Sequence, residues 1–263
     1  MSKRFVALGD SFTEGVGDDD ASRPNGVRGW ADQVAEVLGT ADPEFAYANL
    51  AVRGRLLPQV LREQLERALA MKPDLVSLYA GGNDLMRPKV NIDALMRAYR
   101  AAVALLVNSG ARVILFTGVD GGDDPVFRKM RGRVAIYNEH VRAIADEYSC
   151  VLGDMWNMRQ LRDRRMWSAD RLHLNSLGHT EVAISVLDGL GVSHELTRAV
   201  LGIAPSVDRR IQRAENWKWA REHVVPWVVR RVRGESSGDV IQPRWPELRP
   251  PSWVERVPRN SAE

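Results

Sequence analysis

Short, nearly continuous apolar runs alternate along the chain with longer stretches in which apolar residues recur every three or four positions. Residues 5–8, 75–79 and 113–117 are runs of the first kind, with weaker ones at 45–49 and 150–152. A strand covered on both faces has no polar side to show, so it reads as continuous rather than alternating. Between these runs the helical period dominates. Residues 30–38 place Val34, Val37 and Leu38 on one stripe, and 56–71 repeat Val60, Leu61, Leu65, Ala68 and Leu69. Residues 92–107 and 134–145 behave the same way, and Asn175-Ser176 precedes Val182, Ala183, Val186 and Leu187 as an N-cap precedes a helix. Strand and helix alternating through long connections imply parallel strands joined by right-handed crossovers. The expected architecture is an α/β/α three-layer sandwich around about five parallel strands.

The pattern changes near the end. Residues 208–233 form a helical stretch rich in Arg with Trp217, Trp219 and Trp227, which Pro226 should end or kink. From Gly234 onward Gly, Ser and Pro accumulate without periodicity, the mark of a tail or an arm lying on the domain rather than a second fold. The expected division is a main domain over 1–205 and a C-terminal arm over 206–263.

Composition narrows the class. The 263 residues contain one Cys, which excludes a disulfide framework and a thiolate zinc site. With 44% hydrophobic and 27% charged residues, collagen, coiled coil and wholesale disorder do not fit. No run approaches a membrane span of about 20 apolar residues, and the apolar stretch at the N-terminus is shorter than the roughly 7–15 residues of a secretory signal. The expectation is a soluble cytoplasmic protein. A net charge of +3 gives no clustered basic footprint, so nucleic acid is not an expected partner. The basic, Trp-bearing stretch 208–233 resembles an interfacial helix that could touch an anionic membrane or shield a site mouth. Packing of its apolar stripe on the domain is the favoured reading.

Parallel sheets bind ligands at the carboxyl ends of their strands. The residues there are Gly9-Asp10-Ser11, then Arg53-Gly54-Arg55, Gly81-Gly82-Asn83-Asp84, Asp120 with Asp123 and Asp124, and Asp170 to His173. Together they supply a hydroxyl, backbone donors, an amide and an Asp/His pair. A serine nucleophile needs a base within hydrogen-bond reach, an acid that fixes the base's tautomer, and donors aimed at the developing oxyanion. Ser11 lies where a strand turns into a helix. Asp170 and His173 are three apart, so the acid can hold Nδ1 while Nε2 faces the hydroxyl. Gly54 can present a bare N–H, and Asn83 an amide.

These blocks resemble the SGNH hydrolases, the GDSL esterase/lipase family. Gly9-Asp10-Ser11 matches the first block, with Phe12 where Leu is usual; Asn49 and Gly54 match the second, Gly81 to Asp84 the third, and Asp170-x-x-His173 the last. The match covers roughly residues 3–205. The resemblance implies a flavodoxin-like sandwich, Ser11 as nucleophile, His173 as general base, Asp170 as its orienter, and an oxyanion hole of the Ser11 N–H, the Gly54 N–H and the Asn83 side chain. It implies no metal or organic cofactor. The activity expected is cleavage of small-molecule oxygen esters through an acyl-enzyme, with short acyl groups such as acetyl preferred. A lipid-directed esterase, an acyltransferase using the same site, and an idle ligand-binding scaffold are the alternatives.

Competing residues are weighed beside these. His179, in the first turn after the Asn175-Ser176 cap, is the second choice for the base, ahead of His140, His194 and His223; Asp154 is the runner-up acid. Asp18-Asp19-Asp20 reads as a solvated loop rather than a cation site. Asp10, Arg53, Asp84 and Asp120 are candidate substrate contacts, with a solvated loop charge or an ion pair with the Asp-rich loops as the alternative for Arg53 and Arg55.

Overall fold

The computed structural model describes residues 3–122, 124, 127–203, 209–219, 221–222 and 236–251. Asp123, His223, Pro226, Trp227 and the tail beyond 251 lie outside the described residues.

Six strands form one sheet: β1 (Arg4–Gly9), β2 (Ala46–Asn49), β3 (Leu75–Tyr79), β4 (Arg112–Phe116), β5 (Val151–Gly153) and β6 (Trp245–Arg249). Their order is β5-β4-β3-β1-β2-β6, with the first five mutually parallel and β6 antiparallel to β2. In β1 the side chains alternate between two fully buried sets. Val6 and Leu8 join Val76, Leu78, Val113 and Leu115 in one core, while Phe5 and Ala7 join Leu75, Ile114 and Phe116 in the other. Burial of both faces is why these strands lack a polar period.

Helices cover both faces. On one lie α2 (Gly29–Ala41) and α8 (Ser176–Leu190), packed together through Trp30, Val34, Val182 and Val186. On the other lie α6 (Ile92–Asn108) and α7 (Arg131–Glu147), which meet around Tyr99, Val103, Tyr137 and Val141. The side chains of Asn91 and Asn175 cap α6 and α8. The stretch expected as one helix over 56–71 is α3 (Leu57–Val60), a π-helical turn at Leu61–Leu65, and α4 (Glu66–Ala70). Two single-turn helices, α1 (Ser11–Glu14) and α5 (Gly82–Leu85), follow β1 and β3 directly. They place the first and third sequence blocks on one rim.

The region expected as an arm departs from expectation. Residues 209–219 are helical (α9, Arg209–Trp219), but β6 adds a strand to the sheet edge where only an extended tail was expected. Arg244, just before β6, is fully buried beneath α1 and α2. It donates to the Glu14 and Arg28 carbonyls at 2.7 Å each and pairs with the buried Asp32. This segment is therefore anchored in the core. Among the described residues no helix is long and apolar enough to cross a membrane.

Candidate active site

Ser11 opens α1 immediately after Gly9 and Asp10. The peptide of Gly9 is clipped from below by Gln64, whose amide donates to Gly9 O at 2.9 Å and accepts from Gly9 N at 2.8 Å. The π-helical turn carries this side chain, and irregular turns of this kind recur at functional sites. Gln64 was not singled out from the sequence. The signal was present: a polar residue on the apolar stripe formed by Val60 and Ala68.

The acid–base pair has tight geometry. His173 Nδ1 lies 2.6 Å from Asp170 Oδ2, while Asp170 Oδ1 accepts from the Ser168 hydroxyl at 2.6 Å, from Leu172 N at 2.9 Å and from His173 N at 3.0 Å. Burial works to raise the Asp170 pKa, but the bond and charge of His173, the Ser168 hydroxyl and the Leu172 amide outweigh it. They hold the carboxyl well below the usual range, so it is ionised at neutral pH. The loop after α1 abuts this turn. Gly17 has φ +99°, and a Cβ there would stand 2.2 Å from Leu174 O and 3.1 Å from His173 Cβ. Only glycine lets the Ser11 segment approach the imidazole segment this closely.

The donor side is assembled from two loops. Gly54 has φ +76° and faces Ser236, whose Oγ would lie 2.1 Å from a Cβ at that position. Asn83 Nδ2 donates to Asp10 Oδ2 at 3.2 Å and to Arg55 O at 3.1 Å. Asn49 is buried and joins this group from below, donating to Thr13 O at 2.9 Å and accepting from Ala51 N at 3.1 Å. Blocks one, two and three are thus hydrogen-bonded to one another, and the imidazole of block four lies near enough for its charge to act on Asp10.

The four candidate substrate contacts are all held by partners within the protein, three of them buried and Arg53 part-exposed. Asp10 is only 3% exposed, caps α1 through Phe12 N at 3.1 Å and holds Asn83. Burial raises its pKa to about 7, against the opposing effects of the Phe12 amide and the His173 charge. Asp84 is buried and accepts from Leu57 N at 2.9 Å, fixing the start of α3. Asp120 is buried between Arg131 at 2.7 Å and Arg162, whose hydrogen bonds and charges lower its pKa. Arg53 pairs with the fully buried Glu14 at 2.6 Å, and its backbone N–H donates to the same carboxylate. In each case a group taken out of water has acquired a partner, which is the condition for burying charge at all. Both arginines are ion-paired, but not with the Asp-rich loops: Arg53 meets Glu14, and Arg55 meets Glu63 at 2.8 Å and Asp239 at 3.3 Å.

The competing residues are also accounted for. His179 is fully buried, accepts from Trp30 N at 3.2 Å through Nδ1, and stacks on Phe12. Burial lowers its pKa to about 4, so it is a neutral core histidine. Phe12 itself packs among Trp30, Tyr79 and Phe116. Asp154 is held by Arg142, Thr117 and Asn157. Asp18 accepts from Gly29 N, and Asp20 from Ser22. Among the described residues no group of three or more His, Cys, Asp or Glu could hold a metal ion. Burial pushes the Cys150 thiol up to about 11, which disfavours its thiolate at neutral pH.

The fold is shared with proteins of known structure. The solved structure of LAE5, an alpha/beta hydrolase from the metagenome of Lake Arreo, superposes with a TM-score of 0.60 at 22% identity, covering 72% of this chain and 95% of that one. Axe2, an acetylxylan esterase from Geobacillus stearothermophilus, gives 0.57 at 22% identity, covering 75% and 97%. The esterase EstA from Pseudoalteromonas gives 0.56 at 16% identity, covering 72% and 97%. At such identities the likeness is one of fold. A search of curated proteins gives no match. The family model described as GDSL-like Lipase/Acylhydrolase matches residues 7–180, a span that holds all four sequence blocks. The chain belongs to the GDSL-like lipase/acylhydrolase family and is a carboxylic ester hydrolase.

Proposed function

We propose that the protein cleaves short-acyl oxygen esters, acetyl esters of a carbohydrate or small metabolite foremost, by an acyl-enzyme route. Ser11 Oγ attacks the ester carbonyl and His173 Nε2 takes its proton. Asp170 holds the imidazole in the tautomer with Nδ1–H and stabilises the imidazolium that forms. The oxyanion is met by the N–H groups of Ser11 and Gly54 and by the Asn83 amide, whose hydrogen now on the Arg55 carbonyl is the one handed over. His173 returns the proton to the leaving alcohol; water then repeats attack and release on the acyl-Ser11 ester. The observation that carries this reading is the 2.6 Å Asp170–His173 contact, on a turn packed against the loop that follows Ser11.

The acetyl preference draws support from the likeness to Axe2, an acetylxylan esterase. A cleft of about 610 Å³ favours a second reading. It opens beside Asp84, the neighbour of Asn83, between Leu57, Val90, Leu95 and Ala98. Its mostly apolar lining, which also includes Arg87, Lys89 and Asn91, suits a longer acyl chain, as in a lipid-directed esterase. One screen decides between them: p-nitrophenyl esters of rising chain length beside acetylated sugars, with the Ser11→Ala protein as blank. Highest kcat/KM on acetyl substrates supports the first reading, and a rise with chain length supports the second. Labelling by a fluorophosphonate that Ser11→Ala abolishes excludes an idle scaffold. Products formed with competing alcohols separate hydrolysis from acyl transfer.

A further inference from the structure

The family match ends at residue 180, yet two later segments touch the proposed machinery from opposite sides. On the acid–base side, α9 lies against the Asp170–His173 turn. The Trp219 indole N–H donates to Asp170 O at 2.9 Å. The Arg171 guanidinium stacks over the Trp219 ring at 4.8 Å and donates to Asn216 Oδ1 at 2.5 Å. Arg171 itself sits at φ +60°, a strained conformation for a residue with a Cβ. Such a turn keeps its shape only if its surroundings over-determine it, and these three contacts from α9 do so.

On the donor side, the turn at 236–239 lies on the loop that carries Gly54. Ser236 Oγ and Ser237 Oγ both face Gly54, and Gly238 packs on the Arg53 carbonyl. The turn is closed by Ser236 N donating to Asp239 Oδ2 at 2.7 Å, and Asp239 Oδ1 meets Arg55 at 3.3 Å. It cannot drift, because Arg244 and β6 fix the chain that follows in the core and at the sheet edge.

We propose that the segment beyond the family-matched region is a working part of the active site: Trp219 is a positioning residue for the Asp170–His173 turn, and the Ser236–Asp239 turn positions the Gly54 donor. The inference rests on the roles proposed above for Asp170, His173 and Gly54. It assigns the helix and the turn to alignment for the chemical step, so their loss lowers kcat rather than raising KM.

The test uses full-length variants. Trp219→Phe removes the indole N–H while keeping a ring over Arg171, and Asn216→Ala removes a separate α9 contact to the same turn. Asp239→Ala opens the Ser236 turn. Trp217→Phe, on the same helix but 77% exposed, is the control. The expected result is a kcat lower by about 3- to 10-fold for each of the first three, the range of one lost hydrogen bond, with KM and the control unchanged. The second readout is the proton NMR signal of the His173 Nδ1–H, which a short bond to a carboxylate moves downfield of the amide envelope. In Trp219→Phe and Asn216→Ala that signal shifts or broadens; in Asp239→Ala it stays. Unchanged kcat and an unchanged downfield signal in both α9 variants overturn the acid–base half. Unchanged kcat in Asp239→Ala overturns the donor half. Failure of the underlying reading is seen separately, as wild-type protein whose Ser11 takes no fluorophosphonate label.

Discussion

Replacing Arg244 with Met should cost more stability than almost any other single change outside the central strands. The side chain is fully buried, as is Asp32, and it satisfies two backbone carbonyls at 2.7 Å in addition to the carboxylate. Removing one partner of a buried ion pair typically costs about 3–5 kcal/mol, because the other charge is left without compensation. Asp32 would keep the Tyr47 hydroxyl at 3.0 Å and Arg23 at 3.7 Å, which argues for the lower half of that range. At about 2–4 °C per kcal/mol for a chain of this size, the midpoint of thermal unfolding should fall by about 10 °C. The loss should also depend on pH. Burial raises the Asp32 pKa to about 6 even with the guanidinium beside it. A carboxyl raised in the folded state contributes its stability fully below its unfolded pKa of about 4 and loses it as pH rises through the folded value. Without Arg244 the folded pKa rises further. The deficit relative to wild type should therefore be largest at pH 8 and narrow toward pH 5. Thermal unfolding followed by circular dichroism at both pH values measures it, and the double variant Arg244→Met/Asp32→Leu should recover at least half the loss. A deficit below about 1 kcal/mol, or one of equal size at pH 5 and pH 8, would refute the reasoning.

Three further outcomes are expected. Asn83→Ala should lower kcat by about 10²–10³-fold with the fold intact, as for loss of one oxyanion donor, measured on the best ester from the chain-length screen. Asp10→Asn should remove a pH dependence: with its folded pKa raised to about 7, wild type loses stability from this group as pH climbs from about 4 through 7. Urea unfolding at pH 5 and pH 8 should thus show the variant gaining on wild type at the higher pH. Gly54→Ala meets both a φ of +76° and the Ser236 hydroxyl, so it should lose about 1–2 kcal/mol from backbone strain alone. Ser236→Gly in the same chain should relieve the clash with the hydroxyl but not that strain, so urea unfolding should show only part of the lost stability restored.

Much of this organisation is legible in the residues because physics writes it there redundantly. Strands β1, β3 and β4 are buried on both faces, so nothing but continuous apolar residues would serve, and the run at 113–117 anticipates β4 within one residue at each end. The segment Trp245-Pro-Glu-Leu-Arg249 carries no such signature. It is an edge strand, where Pro246 is tolerated and charged side chains face water, so its pattern is that of a loop. Motif spacing marks loops that meet: Asn83 of the third block reaches Asp10 of the first, while Asp170 and His173 pair within their own turn and Gly54 faces Ser236. Their neighbours were harder to assign. Whether Asp10, Asp84 or Asp120 faces outward depends on which donors the fold brings near, and those donors, Asn83, Leu57 N and Arg162, lie far away in sequence. The favoured reading of 208–233 packs its Trp residues on the domain; Trp219 does pack on the Asp170 turn, whereas Trp217 is exposed.

The π-helical turn at Leu61–Leu65 limits how this protein could be made more regular. Deleting a residue there would restore ordinary helical winding, and by helix propensity alone that looks like an improvement. It would also swing Gln64 about 100° around the axis, away from both backbone groups of Gly9. The strand end beneath the serine would then lose the partner of its amide, and its carbonyl would keep only the 3.3 Å bond from Val52 N. The irregularity is thus tied to the chemistry two residues beyond that strand's last residue, and sequences selected for helix quality in this stretch should lose turnover before they lose their shape.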